Sequence, residues 1–337
     1  MARRLRKMLG TAVIILLILA SVAITFTIGW RPIIGPRMRT LTDRRFETTN
    51  ARLERGRYLV DSVMGCLGCH SPTDIRKPGA PPAASMLGAG ARWADAGLPW
   101  VVVPNITPDK ETGAGNWTDD MLARAIREGI GHDGRALLTL MPYPNYRSMS
   151  DEDLASVIVY TRSLPAVRNQ LPPTTIPFPI SFFIKNVPQP VSSLVPAPDQ
   201  STAVARGAYL VKMGRCADCH TPTERGQQLP GLDFAGGFVT RLPTGVVASA
   251  NITPDPSGIS YYDENLFIHA MREGKVGARQ LNAAMPWWLY GKMTDDDLKS
   301  VFAYLRTLKP IKHHVDNAVP ATYCKLCRQK HGLGERN

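Results

Sequence analysis

The longest apolar stretch of the chain is Met8–Trp30, 23 residues without a charge. As a helix it would span ~35 Å at ~1.5 Å per residue, enough to cross a hydrocarbon core of ~30 Å. No second run of this kind follows. The rest reads as short helices joined by long loops, because no segment alternates cleanly between apolar and polar residues. Residues 51–66 and 202–216 predict helices that each run into a cysteine pair. Thr118 with Asp119 and Asp120 opens another helix, and Asp263 with Glu264 opens its counterpart; these close at Gly129 and Gly274. The last helix of each set has Ser150 or Thr294 as N-cap. Three acids follow (Asp151, Glu152, Asp153; Asp295, Asp296, Asp297), and they complement the helix dipole. The expected fold class is all-α.

These elements come in two sets because the chain repeats itself. RGRYLVDSVMGCLGCHSPT from Arg55 matches RGAYLVKMGRCADCHTPT from Arg206. NITPD at Asn105 recurs at Asn251, AIREG at Ala125 recurs as AMREG at Ala270, and LMPYPNYRSMSDEDL at Leu140 recurs as AMPWWLYGKMTDDDL at Ala284. VIVYTRSL at Val157 returns as VFAYLRTL at Val301. The offsets are 150, 146, 145 and 144 residues, in one unbroken order, which is the signature of a duplicated domain. Between the copies, Leu164–Gln200 holds nine prolines and reads as a semi-extended linker, with Phe182, Phe183 and Ile184 packing on a domain. The expected organisation is 1–32 basic segment and transmembrane anchor, 33–50 linker, 51–165 first domain, 166–200 Pro-rich linker, 201–310 second domain and 311–337 tail.

Composition and charge refine this picture. A chain of 337 residues with 44% hydrophobic and 20% charged residues is no disordered polyelectrolyte. The net charge of +12 suggests a nucleic-acid partner until it is located. Residues 1–57 carry 12 Lys/Arg against 3 Asp/Glu, residues 309–337 carry 6 against 2, and the body between carries 22 against 23. The basic charge therefore lies beside the apolar run and in the tail, so the expected partner is a membrane and not nucleic acid. Arg3, Arg4, Arg6 and Lys7 precede the run and favour a cytoplasmic N-terminus. The expected location is the cell inner membrane, single-pass, with the body on the periplasmic side. A cleaved signal peptide ending near Ser21-Val22-Ala23 is the rival reading, although the apolar run continues for seven residues past it.

The six cysteines fall in three C-x-x-C pairs. Two of them continue into histidine: Cys66-Leu67-Gly68-Cys69-His70 and Cys216-Ala217-Asp218-Cys219-His220. This is the spacing of covalent c-type haem attachment. Two thiols on one turn can each add to a haem vinyl group, and the next imidazole is then held under the iron as proximal ligand. A thioredoxin-like pair would need a βαβ context, and zinc would need four ligands. The expected cofactors are two covalently bound haem c groups, held by Cys66, Cys69 and His70 and by Cys216, Cys219 and His220.

The sixth iron position decides the chemistry, since a His/Met pair fills the site and raises the potential. Two methionine pairs align between repeats. Met149 and Met293 stand one residue before the N-caps, with Leu154 and Leu298 at the hydrophobic-staple position. Met141 and Met285 precede Pro142 and Pro286 in loops, 71 and 65 positions beyond His70 and His220. Met141 and Met285 are the expected axial ligands, with the two roles swapped as the alternative.

On C-x-x-C-H, NITPD, REG, the MPY or MPW loop and MSDEDL-to-YTRSL, the chain resembles the class I c-type cytochromes over roughly residues 51–310. It most resembles the multi-haem cytochrome c subunits of periplasmic alcohol- and gluconate-type dehydrogenases. That resemblance implies two tandem cytochrome c-like domains behind an N-terminal transmembrane helix. The implied function is electron passage between a dehydrogenase or quinol-oxidising complex and a terminal oxidase or soluble carrier. The chain would then be a non-catalytic electron-transfer subunit of an oxidoreductase complex. The alternative is a dihaem redox enzyme of peroxidase or thiosulfate-oxidising type, which needs an open or unusually ligated iron.

Other chemistry-bearing residues read more plainly. His132 and His269 have no histidine counterpart in the other repeat and read as surface side chains. Asn105 and Asn251 are expected to hold loops through Asx-type hydrogen bonds. Cys324-Lys325-Leu326-Cys327 lacks the histidine of a haem site. A local disulfide is the default in an oxidising compartment. A Cys₂His₂ zinc site from Cys324, Cys327 and His331 with His313 or His314 is the other reading.

Overall fold

The computed structural model describes residues 2–74, 77, 81–93, 98–224, 226–242, 245–316, 322–326, 328 and 330–331. The described chain is mostly helical. In chain order the helices are α1 (Ala2–Phe26), α2 (Arg31–Ile34), α3 (Asn50–Tyr58), α4 (Cys66–Cys69), α5 (Asp119–Glu128), α6 (Tyr143–Tyr146) and α7 (Asp151–Ser163). They continue as α8 (Ile180–Phe183), α9 (Ala203–Met213), α10 (Cys216–His220), α11 (Glu264–Glu273), α12 (Trp287–Tyr290) and α13 (Asp295–Arg306). The chain divides into two compact units. The first comprises Met1–Asp43, Asp120–Arg147 and Ile176–Ser193; the second comprises Arg44–Asp119, Ser148–Thr175 and Leu194–Asn337.

In the first unit, α1 is long and apolar enough to cross a membrane, and from Arg3 to Phe26 its side chains are exposed apart from half-buried Ile24. The helix stops at Phe26, four residues short of the uncharged run, because Gly29 adopts φ 71 and donates to the Ile24 carbonyl. Arg39 is tied to the short helix α5: it pairs with Asp120 at 2.6 Å and with Glu128 at 2.7 Å, and both carboxylates are buried. Burial disfavours the Asp120 charge, but hydrogen bonds from Arg39 and from the Thr42 N–H outweigh it and hold its pKa below the usual carboxylate range. Ile184 is buried at the end of α8 while Phe183 is exposed, so only part of the expected aromatic packing of the linker is made.

The second unit is built on two helix pairs, α3 with α7 and α9 with α13. Each pair crosses at a glycine. A Cβ at Gly56 would collide with the Ser156 carbonyl, and a Cβ at Gly207 with the Ser300 carbonyl. An ion pair fastens each crossing, Arg55 to Asp153 at 2.7 Å and Arg206 to Asp297 at 2.5 Å. The N-caps fall where the sequence places them. Ser150 Oγ accepts from Asp153 N at 3.1 Å and Thr294 Oγ1 from Asp297 N at 3.2 Å. Met149 and Met293, just before the caps, are buried with Leu154 and Leu298, as staple residues should be.

Two expectations need correction. The segment 51–66 is not one helix. It passes from α3 into a π-turn over Leu59–Val63, and Gly65 at φ 66 breaks the axis before α4 begins at Cys66. Strands also exist, as short antiparallel pairs. The longest joins Val239–Leu242 to Gly245–Ala248, with Thr240 opposite Val247. Its four-residue strands are too short for alternation to stand out from loop sequence.

Candidate functional site

Each C-x-x-C-H segment forms a single helical turn. Gly65, at φ 66, and Arg215, at φ 59, precede Cys66 and Cys216 in left-handed conformation, so each turn starts in a new direction. Cys66 and Cys69, and likewise Cys216 and Cys219, stand on one turn with the histidine directly after. In each case the two cysteines stand three positions apart at the ends of that turn, with the histidine next in the chain.

Both histidine rings are fixed from behind. His70 Nδ1 lies 2.8 Å from the Pro104 carbonyl and His220 Nδ1 lies 2.7 Å from the Ala250 carbonyl. To donate there, Nδ1 must carry the ring proton, which leaves the Nε2 lone pair as the outward ligand atom. The backbone of each histidine is also tied down: Gly90 N donates to His70 O at 2.7 Å, and Gly236 N to His220 O at 2.7 Å. Burial lowers both imidazole pKa values, which favours the neutral ring that a metal ligand must be. Burial pushes the Cys66 and Cys216 thiols up to about 12. A thioether sulfur, which bears no charge, suits such a place better than a thiolate. The donor set therefore fits covalent haem attachment on this structure's own chemistry.

The NITPD motifs explain how the acceptor carbonyls are placed. Asn105 Oδ1 accepts from Thr107 N at 2.9 Å and Asn105 Nδ2 donates to Val167 O at 2.8 Å; Asn251 repeats this with Thr253 N at 2.9 Å and Ile311 O at 2.8 Å. These Asx turns pin the loop directly after Pro104 or Ala250 to the chain that leaves the last helix of the repeat. Asn105 and Asn251 are 3% exposed, so the bonds are shielded from water.

Met141 and Met285 sit in matching turns. Met141 N donates to Leu138 O and Tyr143 N to Met141 O; Met285 N donates to Asn282 O and Trp287 N to Met285 O. Both methionines are half-buried, in contrast to Met149 and Met293. The aromatic residue two places on fixes each turn. Tyr143 packs onto Gly129 (φ 75) and Trp287 onto Gly274 (φ 62), so close that any Cβ at either glycine would meet the ring. This couples REG to MPY and AMREG to MPW. Among the described residues the buried Trp287 Nε1 proton has no hydrogen-bond partner, a group that a bound cofactor could satisfy.

Several supporting groups escape sequence reasoning. The Pro104 and Ala250 carbonyls are backbone atoms and carry no residue signature. Leu289 lies against Gly65, 2.5 Å from where a Cβ would stand, and Trp288 lies near Gly68 of the first C-x-x-C-H turn. The Tyr290 hydroxyl donates to Gly214 O at 2.7 Å, just before Cys216. His132 and His269 are exposed, as the sequence suggests. The tail pair falls partly outside the described residues, since Cys327 is not among them.

Comparison with known proteins agrees with this chemistry. The cytochrome c family model matches residues 204–309. A diheme cytochrome c-type protein of Cereibacter sphaeroides is 30% identical over 255 residues, covering 74% of this chain and 83% of that protein. The cytochrome c subunit of the alcohol dehydrogenase (quinone) of Gluconobacter oxydans is 27% identical over 79% of this chain, and the gluconate 2-dehydrogenase cytochrome c subunit of Pantoea cypripedii 28% over 78%. The chain spans only 56% and 60% of the length of those two subunits. A fold of short helices carrying paired cysteines ahead of a carbonyl-held histidine defines a protein of covalent haem. The chain belongs to the cytochrome c family. It accordingly carries covalently bound haem c.

Proposed function

We propose that this chain is a membrane-anchored dihaem electron carrier with one haem-bearing domain per repeat, 51–165 and 201–310. Cys66 and Cys69 hold one haem with His70 as proximal ligand, and Cys216 and Cys219 hold the other with His220. Met141 and Met285 supply the sixth ligands. When bound, the group supplies a reversible ferric–ferrous couple. The chain's own residues do the rest. The cysteines fix the macrocycle, the Pro104 and Ala250 carbonyls orient the imidazoles, and the methionine thioethers fill the remaining iron position. No position is left for a substrate, so the chain moves single electrons and makes or breaks no substrate bond.

The observation that carries this reading is the duplicated carbonyl-held histidine behind each cysteine pair, His70 on Pro104 and His220 on Ala250. The names of the relatives, cytochrome c subunits of dehydrogenases, support a dehydrogenase as donor; a quinol-oxidising complex is the other donor, and a terminal oxidase or soluble carrier is the acceptor. Helix α1 would be the anchor, with Arg3, Arg4, Arg6 and Lys7 on the cytoplasmic side and both repeats in the periplasm. Carbon monoxide added to the dithionite-reduced, detergent-solubilised protein tests the reading. Two filled irons leave the reduced spectrum unchanged. A full shift of either haem would contradict the carrier function and favour a haem open to substrate.

A further inference from the structure

A third histidine has its ring held as His70 and His220 are. His313 is 3% exposed, and its Nδ1 lies 2.9 Å from the Ala235 carbonyl. Its Nε2 faces the Sγ of Cys324 at 2.9 Å. A proton on Nδ1 leaves the Nε2 lone pair directed at sulfur, so a buried imidazole and a thiol converge from segments eleven residues apart. His314, the other candidate of the sequence, is exposed and takes no part.

Cys324 itself opens a tight turn. Arg328 N donates to Cys324 O at 2.9 Å, and Arg328 adopts φ 56. On either side Thr322–Tyr323 pairs antiparallel with Lys330–His331, with His331 opposite Thr322. The Ala235 carbonyl that holds His313 adjoins Gly236, whose N–H holds the His220 carbonyl. His313 is thereby fastened to the segment that backs the second C-x-x-C-H turn.

We propose that His313 Nε2 and Cys324 Sγ are two ligands of a soft divalent cation of the zinc class, separate from the haem iron. One imidazole nitrogen with its far side bound to a carbonyl, beside one thiol, is the donor chemistry such a cation selects. On binding, the Cys324 S–H bond breaks, its proton goes to solvent, and the sulfur electron pair bonds the cation; nothing is oxidised or reduced. Bonds of ~2.0 Å to nitrogen and ~2.3 Å to sulfur at tetrahedral angle put the two atoms about 3.5 Å apart, so the pair opens slightly to admit the ion. A closed site of this class takes four ligands; His313 and Cys324 are the two among the described residues, and Cys327 lies outside them.

The test uses the full chain purified with its haem in detergent, without chelators, and needs no assumption about the haem count. Zinc and iron are measured together by mass spectrometry. The expected result is about one zinc per chain, as one closed site requires. His313→Ala and Cys324→Ser should each lose the zinc while iron per chain stays unchanged. In the wild-type protein, iodoacetamide should label Cys324 only after a chelator is added. Zinc at the same background in wild type and variants overturns the proposal, as does labelling of Cys324 that ignores the chelator. A Cys324–Cys327 disulfide in the freshly isolated protein overturns it equally. If the variants do not accumulate, the wild-type labelling experiment decides alone.

Discussion

Tyr58, at the end of α3, donates its hydroxyl proton to Asp297, the third residue of α13, 239 positions away. The same oxygen accepts from Thr294 N at 3.2 Å, so it docks into the N-terminus of that helix. The repeat answers in kind: Tyr209 donates to Asp153 at 2.6 Å, and its hydroxyl accepts from Ser150 N. Each acceptor is the carboxylate that also pairs with an arginine of its own repeat, Arg206 on Asp297 and Arg55 on Asp153. Burial, reinforced by Asp297, pushes the Tyr58 hydroxyl up to about 12, so it remains a donor throughout the physiological range.

This reciprocity predicts the cost of removing it. Tyr58→Phe and Tyr209→Phe should each destabilise the protein by ~1–3 kcal/mol, because a buried carboxylate loses one donor and keeps another. Denaturant unfolding followed by circular dichroism measures the effect.

Glycine to alanine normally gains up to ~1 kcal/mol inside a helix. Gly56→Ala and Gly207→Ala should reverse that sign and cost ~1–3 kcal/mol, because the added methyl meets the Ser156 or Ser300 carbonyl across the helix crossing. Thermal melts of both variants against wild type check this. A gain at either position would mean that the crossing relaxes freely.

Much of the site is legible in the sequence because its chemistry uses contiguous residues. Cys66 to His70, the Asx turns at Asn105 and Asn251, and the caps at Ser150 and Thr294 each complete a local pattern. What stays hidden depends on partners distant in the chain or on backbone atoms. Nothing near Tyr58 points to Asp297, and nothing in Pro104 marks its carbonyl as the acceptor for His70. The break at Gly65 follows from glycine, but its counterpart Arg215 takes the same left-handed conformation without that signal. The Val239–Leu242 strand and its partner lie inside what reads as loop, since pairing is decided by register with Gly245–Ala248.

The acid limb of stability should report on Asp120. Its pKa is depressed in the fold by Arg39 and the Thr42 N–H against the cost of burial. Its contribution is therefore complete above the unfolded carboxylate value of about 3.9 and is lost as pH falls through the lower folded value. Asp120→Asn should be less stable than wild type at pH 7, and the deficit should shrink below about pH 4. Melting curves from pH 7 to pH 2.5 on both proteins give the comparison; a deficit independent of pH would mean that charge is not what Asp120 contributes.

The two aligned methionine pairs separate by substitution. Met141→His and Met285→His should each lower the potential of one haem, within the ~0.8 V span that axial ligands command. Met149→Leu and Met293→Leu should leave the spectra unchanged and cost less than ~1.5 kcal/mol, as volume-conserving changes at buried packing positions. Potentiometric titration of the four variants reads the difference. Loss of Met ligation in Met149→Leu or Met293→Leu would invert the assignment.

The mass of the denatured chain tests the central claim most directly. Haem held through thioether bonds survives denaturation, so the wild-type chain should carry the added mass of two haem groups. The variant with Cys216→Ala and Cys219→Ala should carry one. A wild-type mass with one haem, or with none, would contradict the account of one attachment site in each repeat.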